Sequence, residues 1–312
     1  MADIEETIEL APEVLRRVIA LKSLQREQHT VEAELHKETL ALELKYAKLY
    51  APIQAKINAI INGEREPTTE EVTAGTAAHS EDLEEDEEPY KDNGEVSAEN
   101  IKGIPDFWLT VLTSHPLLEN LIQEQDDDAL KSLRNIEVEE VEGKTSFKLI
   151  FTFASNEFFE NEKLTKTINY KPDPNGGFLT IDSTDGTVVN WKEGKNLTVK
   201  TETRKQRHRT TNQVRTIVKT VPADSFFNFF RTIEPVAEDD ESEEAETNLN
   251  NLLEDDEVAD VIKDRVVPHA VDWFTGKALE YDIDDNFDDE DDGDYDDDEE
   301  EDDEDEDDDD LE

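Results

Sequence analysis

Residues 12–61 read PEVLRRVIALKSLQREQHTVEAELHKETLALELKYAKLYAPIQAKINAII. Within them Leu24, Val31, Leu35, Leu42, Tyr46, Leu49, Ile53, Ile57 and Ile60 recur mostly in steps of three, four or seven. Their average step is about 3.6 residues, which predicts a nearly straight amphipathic helix rather than a supercoiled zipper. The other faces carry mixed charge, including Arg26, Glu27, Glu32, Lys37, Glu38, Glu43 and Lys48. Pro52 removes one backbone donor and is expected to bend the helix; Gly63 and Pro67 mark its end. Even forty helical residues span about 60 Å, more than the width of a domain of this size. The stripe therefore calls for a second, antiparallel copy in an isologous dimer, with Leu24, Val31, Leu35, Leu42, Leu49 and Ile53 at the interface. A helix packed within its own chain and broken at Pro52 is the alternative.

Working outward, charge dominates. Of 312 residues, 84 are acidic and 31 basic, a net charge of −53. Such a chain is repelled by DNA, RNA and anionic membrane, so its expected partners are basic and direct nucleic-acid binding is not expected. The absence of cysteine excludes disulfides, thiolate metal sites and cysteine nucleophiles. No run of about 18 apolar residues occurs, and the N-terminus is acidic where a signal peptide would be basic, so the chain reads as soluble and intracellular, with no membrane partner.

The charge also divides the chain. From Asp282 to Glu312, 25 of 31 residues are acidic and none is basic, leaving −28 on the remainder. A segment of that composition cannot offset its ordering entropy and is expected to be a disordered tail. Glu81–Glu88 and Glu238–Glu246 read as solvated loops. The expected organisation is a flexible N-terminus over 1–11, the helix over 12–61, an acidic insert over 62–100, a folded domain over 101–281 with an acidic loop at 236–257, and the tail over 282–312.

In the folded domain the period changes. Pro105 and Pro116 precede the apolar runs Phe107–Leu112 and Leu117–Ile122, as in helix first turns. Asp126–Asp128 suit the positive end of a short helix over Ala129–Leu133. Ile136–Val141 and Ser146–Phe153 alternate with period two around a turn at Glu142–Gly143, placing Phe147, Leu149, Phe151 and Phe153 on one face. Leu164–Tyr170 is another strand, Pro172–Gly177 a loop, and Asn196–Lys205 with Asn212–Val221 a long hairpin. Ser225–Arg231 and Val258–Glu280 read as helices, the second interrupted near Pro268. Helices at both ends of an antiparallel sheet define an α+β class.

Between Lys192 and Lys219 nine basic residues face two acidic ones. Arg204, Lys205, Arg207 and Arg209 crowd the hairpin turn, with His208 among them. This island fits a nuclear localisation signal read by an import receptor, a contact with another copy's acidic surface, or a plain solvated turn. The six histidines are scattered, without metal-ligand spacing. Neither phosphate-binding glycine pattern occurs, and carboxylates are too many for any pair to stand out as an acid–base couple. The reading is a non-enzyme without cofactor or metal.

Taken together, several motifs resemble the nucleosome assembly protein family of histone chaperones, over about residues 11 to 281. They are Leu21–Gln25, Lys45–Tyr46 and Tyr50–Pro52 in the helix, then Lys102–Gly103–Ile104–Pro105–Asp106–Phe107–Trp108–Leu109–Thr110. Leu164–Thr167, Arg204–Arg207, Val214–Thr216, Ser225–Phe230 and Pro268 with Asp272–Gly276 complete the series. The insert at 64–100 and the phenylalanine-rich motif place the likeness in the nucleosome assembly branch rather than with SET-type relatives. Many relatives end in a prenylation-like box, whereas this chain ends Asp310–Leu311–Glu312, which speaks against lipidation.

The resemblance implies a dimer joined by long helices, an acidic underside that holds core histones, and shuttling between nucleus and cytoplasm. By that analogy Glu124, Asp126, Asp127, Asp128, Glu280, Asp282, Asp284 and Asp285 rim the histone-binding cavity, with ordinary solubilising charge and helix capping as the alternative. Phe226–Phe230 reads as core rather than contact. Leu21, Leu24, Val31 and Leu35 have export-signal spacing, and further assembly through the basic hairpin is open. The competing function is a general acidic scaffold or inhibitor of other basic proteins or a phosphatase, as in SET-type relatives. Diffuse calcium binding by the tail is a third.

Overall fold

The structure, a computed structural model, describes residues 11–82, 101–141, 144–172, 179–207, 214–237 and 242–280. Helix α1, Pro12–Ile61, is a single helix of 50 residues, about 75 Å long at 1.5 Å per residue. Pro12 stands in its first turn, where a missing N–H costs nothing. Pro52 can donate no bond to the preceding turn, yet helical backbone continues through it, so the reading of a helix broken there is not realised. The chain then turns at Asn62–Gly63, and the Glu64 and Arg65 N–H groups both donate to the Ala59 carbonyl, at 2.8 and 3.2 Å.

The insert opens with α2, Thr69–Asp82, so Glu81 and Asp82 of the expected acidic loop are helical, and the rest of that loop lies outside the described residues. Thr68 and Glu71 start this helix reciprocally. The Glu71 N–H donates to Thr68 Oγ1 at 3.2 Å, and the Thr68 N–H to Glu71 Oε2 at 2.9 Å. Arg65 clamps the same carboxylate with two bonds of 2.8 Å. Together they hold the Glu71 pKa far below the ordinary carboxylate range, at about 2.

Four antiparallel strands follow in spatial order: β1 Leu133–Glu140, β2 Ser146–Phe153, β3 Lys163–Pro172 and β4 Leu179–Gly186. Cross-strand pairs such as Phe151 with Leu164 fix the register that turns Leu149, Phe151, Leu164 and Ile168 inward. β4 escaped the sequence reading because only Leu179 and Ile181 alternate before the strand becomes polar. β5 Val199–Arg207 and β6 Val214–Pro222 form a separate two-stranded ribbon.

Short helices α3 Phe107–Ser114, α4 Pro116–Leu121 and α5 Asp127–Leu130 precede the sheet. After it come α6 Glu243–Asp260, a π-helical turn Val261–Val266, and α7 Ala270–Thr275. Here the acidic loop expected over 236–257, and a helix starting only at Val258, are corrected. Ser242 caps α6 by accepting from the Ala245 N–H at 3.1 Å, and Glu243, Glu244 and Glu246 sit at its positive end. Ala245, Leu252, Val258 and Ala259 supply the buried stripe. A helix needs only one apolar face, and dense charge on the others concealed it.

The core lies between the sheet and these helices. Phe226, Phe227, Phe229 and Phe230 of a 3-10 turn are all buried, as expected of them. Phe230 meets Phe151 edge-on with centroids 5.1 Å apart, and Phe227 meets Trp191 at 5.2 Å. Phe107 of α3 stacks on Phe274 of α7 at 4.9 Å. The buried indoles are satisfied: Trp108 Nε1 donates to the Arg134 carbonyl at 3.0 Å, and Trp273 Nε1 to that of Arg265 at 3.1 Å.

Candidate functional site

The acidic residues proposed from sequence separate into different roles. Glu124 is exposed beside the α4–α5 connection. Next to it Gln125 Nε2 donates to the carbonyls of Leu197 and Asp224, at 3.0 and 2.9 Å, tying this connection to the base of the β5–β6 ribbon. A groove of about 540 Å³ runs here, lined by Gln123, Glu124, Gln125, Lys200, Ala223 and Asp224. Asp127 is half-buried and Asp128 exposed. Asp128 accepts from Lys131 Nζ at 2.7 Å, and that lysine holds its carboxyl below the usual range.

Asp126 does not belong to the surface. It is 0% exposed. Its carboxylate accepts from Ser225 Oγ and the Phe226 N–H, each at 2.7 Å, and from the Gln123 N–H at 3.1 Å. Burial pushes its pKa up, against these three bonds. The residue braces the phenylalanine turn from beneath, which corrects its expected place on the rim. The short side chain, with Glu124, Asp127 and Asp128 close by in the chain, gave no sign of this, because burial here depends on Ser225, 99 positions away.

A second groove, of about 410 Å³, continues from the first through Gln123 and Asp224 and passes between the end of α4 and α6. Glu254, Asn251 and Arg231 lie along it, with Leu121 and Val258 as apolar lining. Arg231 Nη2 donates to Asn251 Oδ1 at 2.8 Å, so this cation is already engaged. Its neighbour α6 presents Glu246, Leu249, Asn250, Leu253 and Glu257 outward at helical spacing, all exposed. These α6 residues were missed in the sequence. Ser242 followed by three glutamates in one turn was the signal that could have found them.

Beneath this face α6 is pinned by polar bonds. Asp255 turns inward onto Lys166, whose Nζ also donates to Thr184 Oγ1 and the Arg231 carbonyl, both at 2.8 Å. Burial raises Asp255 and lowers Lys166, while each partner's charge opposes the shift. The Tyr170 hydroxyl donates to Asp256 Oδ1 at 2.6 Å; burial raises both pKa values, most strongly that of the tyrosine.

The other expected residues lie elsewhere. Glu280 is exposed beyond α7, while Asp282, Asp284 and Asp285 fall outside the described residues. Arg204, Lys205 and Arg207 are in β5, opposite Ile217, Thr216 and Val214 of β6; Arg209 is outside the described residues. On α1, Leu24, Val31, Leu35, Leu42, Leu49 and Ile53 are 53–65% exposed in the single chain. Among the described residues, no cluster of histidine and carboxylate converges as for a metal ion. Nor, among them, is any helix long and apolar enough to cross a membrane.

An acidic face with embedded leucines is thus carried on a helix braced against an antiparallel sheet. The family model for nucleosome assembly protein matches residues 16–277. Nucleosome assembly protein 1-like 1-A of Xenopus laevis is 40% identical over 289 residues, 89% of this chain and 73% of that protein. A putative nucleosome assembly protein of Schizosaccharomyces pombe is 42% identical over 270 residues, covering 85% and 66% respectively. Among solved structures, nucleosome assembly protein 1 from Plasmodium knowlesi aligns with a TM-score of 0.53 at 26% identity, over 86% of this chain and 99% of that one. The chain belongs to the nucleosome assembly protein family, and so to the histone chaperones.

Proposed function

We propose that the protein captures core histones on the connected grooves bearing Glu124, Asp224 and Glu254 and on the outward face of α6. The observation that carries this reading is the mixture on that face. Glu246 and Glu257 offer carboxylates to lysine and arginine, while Leu249 and Leu253 offer apolar surface that a merely solubilising helix would not need. Capture of this kind competes with the DNA backbone for the same basic side chains. It suppresses disordered histone–DNA aggregates and yields histones where the wrapped arrangement is more favourable. The tail from Asp282 adds charge that strengthens capture, and the body selects what is captured. Glu280, Asp282, Asp284 and Asp285 belong to that reservoir in this reading.

The working unit is a dimer built on α1. Leu24 with Ile53, Val31 with Tyr46, and Leu35 with Leu42 are each centred on the same point, between Glu38 and Thr39. A two-fold axis there sets every pair level in an antiparallel partner, which supports an isologous seam. Arg204, Lys205, Arg207 and Arg209 serve import or a contact between dimers, and the chain shuttles between cytoplasm and nucleus.

The deciding experiment is a titration of histone dimers held on DNA with the full chain and with a chain lacking residues 282–312. The full chain should remove histones at physiological salt, and the shortened one should do so more weakly and with a shallower dependence on salt. Binding no better than that of polyglutamate, or equal preference for unrelated basic proteins, would favour a general acidic scaffold instead.

A further inference from the structure

The long helix meets the sheet domain through bare backbone. Gly63 follows α1 and Gly103 precedes α3, and both take left-handed backbone, with φ of 66° and 64°. A Cβ on Gly63 would stand 2.5 Å from the Gly103 nitrogen, and one on Gly103 would stand 2.1 Å from the Ile61 oxygen. Neither position can carry a side chain without forcing the two segments apart. The Ile104 N–H donates to the Ile61 carbonyl at 2.8 Å. Asn62 Nδ2 donates to the Arg134 carbonyl at 3.2 Å, and that same oxygen receives Trp108 Nε1 at 3.0 Å. Ile61 itself is buried in the domain's core. The end of α1, the chain returning from the insert and the first residues of β1 thus share one hydrogen-bonded joint.

Side chains do not close this joint on every side. A cleft of about 700 Å³, lined by Asn58, Asn62, Glu64, Lys102, Arg134 and Lys163 among others, opens next to it. Backbone contact at the glycines is the stiff element. The helix makes it consequential, since Leu24 is about 58 Å from the joint along α1, and a tilt of about ten degrees moves it by about 10 Å.

We propose that Gly63 and Gly103 are positioning residues that fix the angle between α1 and the sheet domain, and through it the spacing of the two histone-holding faces in the dimer. The second half of this statement rests on the dimeric histone-binding reading above; the first does not. The test uses the full chain, whose lack of cysteine allows spin labels at Lys48→Cys and Ser155→Cys. Labelled chain is diluted in unlabelled chain, so the distance read is within one copy. The glycine-bearing chain should give one narrow distance distribution. Gly103→Ala should shift its mean or at least double its width while sedimentation stays unchanged, and histone affinity should fall roughly three- to thirtyfold.

Gly63→Ala presses on the same close approach from the other segment, and should broaden the distribution if Gly103→Ala fails to fold. An unchanged distribution in either folded variant overturns the positioning role. A changed distribution with unchanged histone affinity overturns the link from angle to capture. Failure of the glycine-bearing chain itself to dimerise or bind histones overturns the reading beneath that link, and is distinguished by being present before any substitution.

Discussion

Lys166 Nζ stands 2.5 Å from Asp255 Oδ2 with the lysine side chain 0% exposed, joining the middle of the sheet to α6. Lys166 is in phase with Leu164 and Ile168, so a charge points into the core where the strand pattern calls for an apolar residue. Its three bonds and the Phe229 ring, 5.2 Å from Nζ, compensate the lost hydration. Removing one partner leaves the other charged and buried. Lys166→Met should therefore cost about 3–5 kcal/mol in urea unfolding. Adding Asp255→Leu should recover much of that loss, and a double variant as unstable as the single one would show that the pair's geometry, rather than its uncompensated charge, governs stability.

Asp126 and Glu124 should separate stability from binding. Asp126→Ala strips three donors of their acceptor and should lower stability by about 1–3 kcal/mol, seen as an earlier thermal transition. Glu124→Gln should change stability by less than about 0.5 kcal/mol. Combined with Asp224→Asn and Glu254→Gln, it should weaken histone binding at constant salt. If Asp126→Ala proves thermally silent, the brace described here is wrong.

The seam on α1 makes a mass prediction. Leu35→Glu with Leu42→Glu would place four like charges around the proposed two-fold axis and should give a species of 35.6 kDa by sedimentation, where the original chain should give twice that. Tryptophan emission should stay that of a folded domain, because Trp108, Trp191 and Trp273 all lie outside α1. A variant that still sediments as a dimer would move the interface elsewhere.

Acid should reach the start of α2 late. Glu71 has its folded pKa lowered from 4.5 to about 2. The stability it contributes is accordingly full above pH 4.5 and declines as pH falls toward 2, whereas the bond itself is lost only as pH passes through about 2. In a titration followed through side-chain carboxyl carbons, Glu71 should be among the last glutamates to protonate. A midpoint close to 4.5 would mean that solvent screens the clamp away.

Periodicity made much of this architecture legible. The α1 stripe and the β1–β2 hairpin with its inward phenylalanines follow from residue spacing, and the β5–β6 ribbon was legible as a long hairpin. β4 and α6 were not, for opposite reasons. β4 is polar over most of its length and is held as a strand by its neighbour β3. α6 carries so many carboxylates that net charge masked its apolar stripe. The site was legible only as chemistry. That acids would hold a basic partner followed from composition, whereas which acids face outward depended on contacts such as Asp126 with Ser225, whose separation along the chain no local pattern spans.

Phe107 and Phe274 stack where the first and last helices of the sheet domain meet. The domain therefore begins and ends at one place on its surface, and the polypeptide before α3 and after α7 departs from a common seam. Segments attached there can lengthen or shorten without altering any contact within the folded unit. Charge outside the domain is in this sense a dose rather than a design. It can be changed residue by residue while the packing of the sheet domain stays as it is.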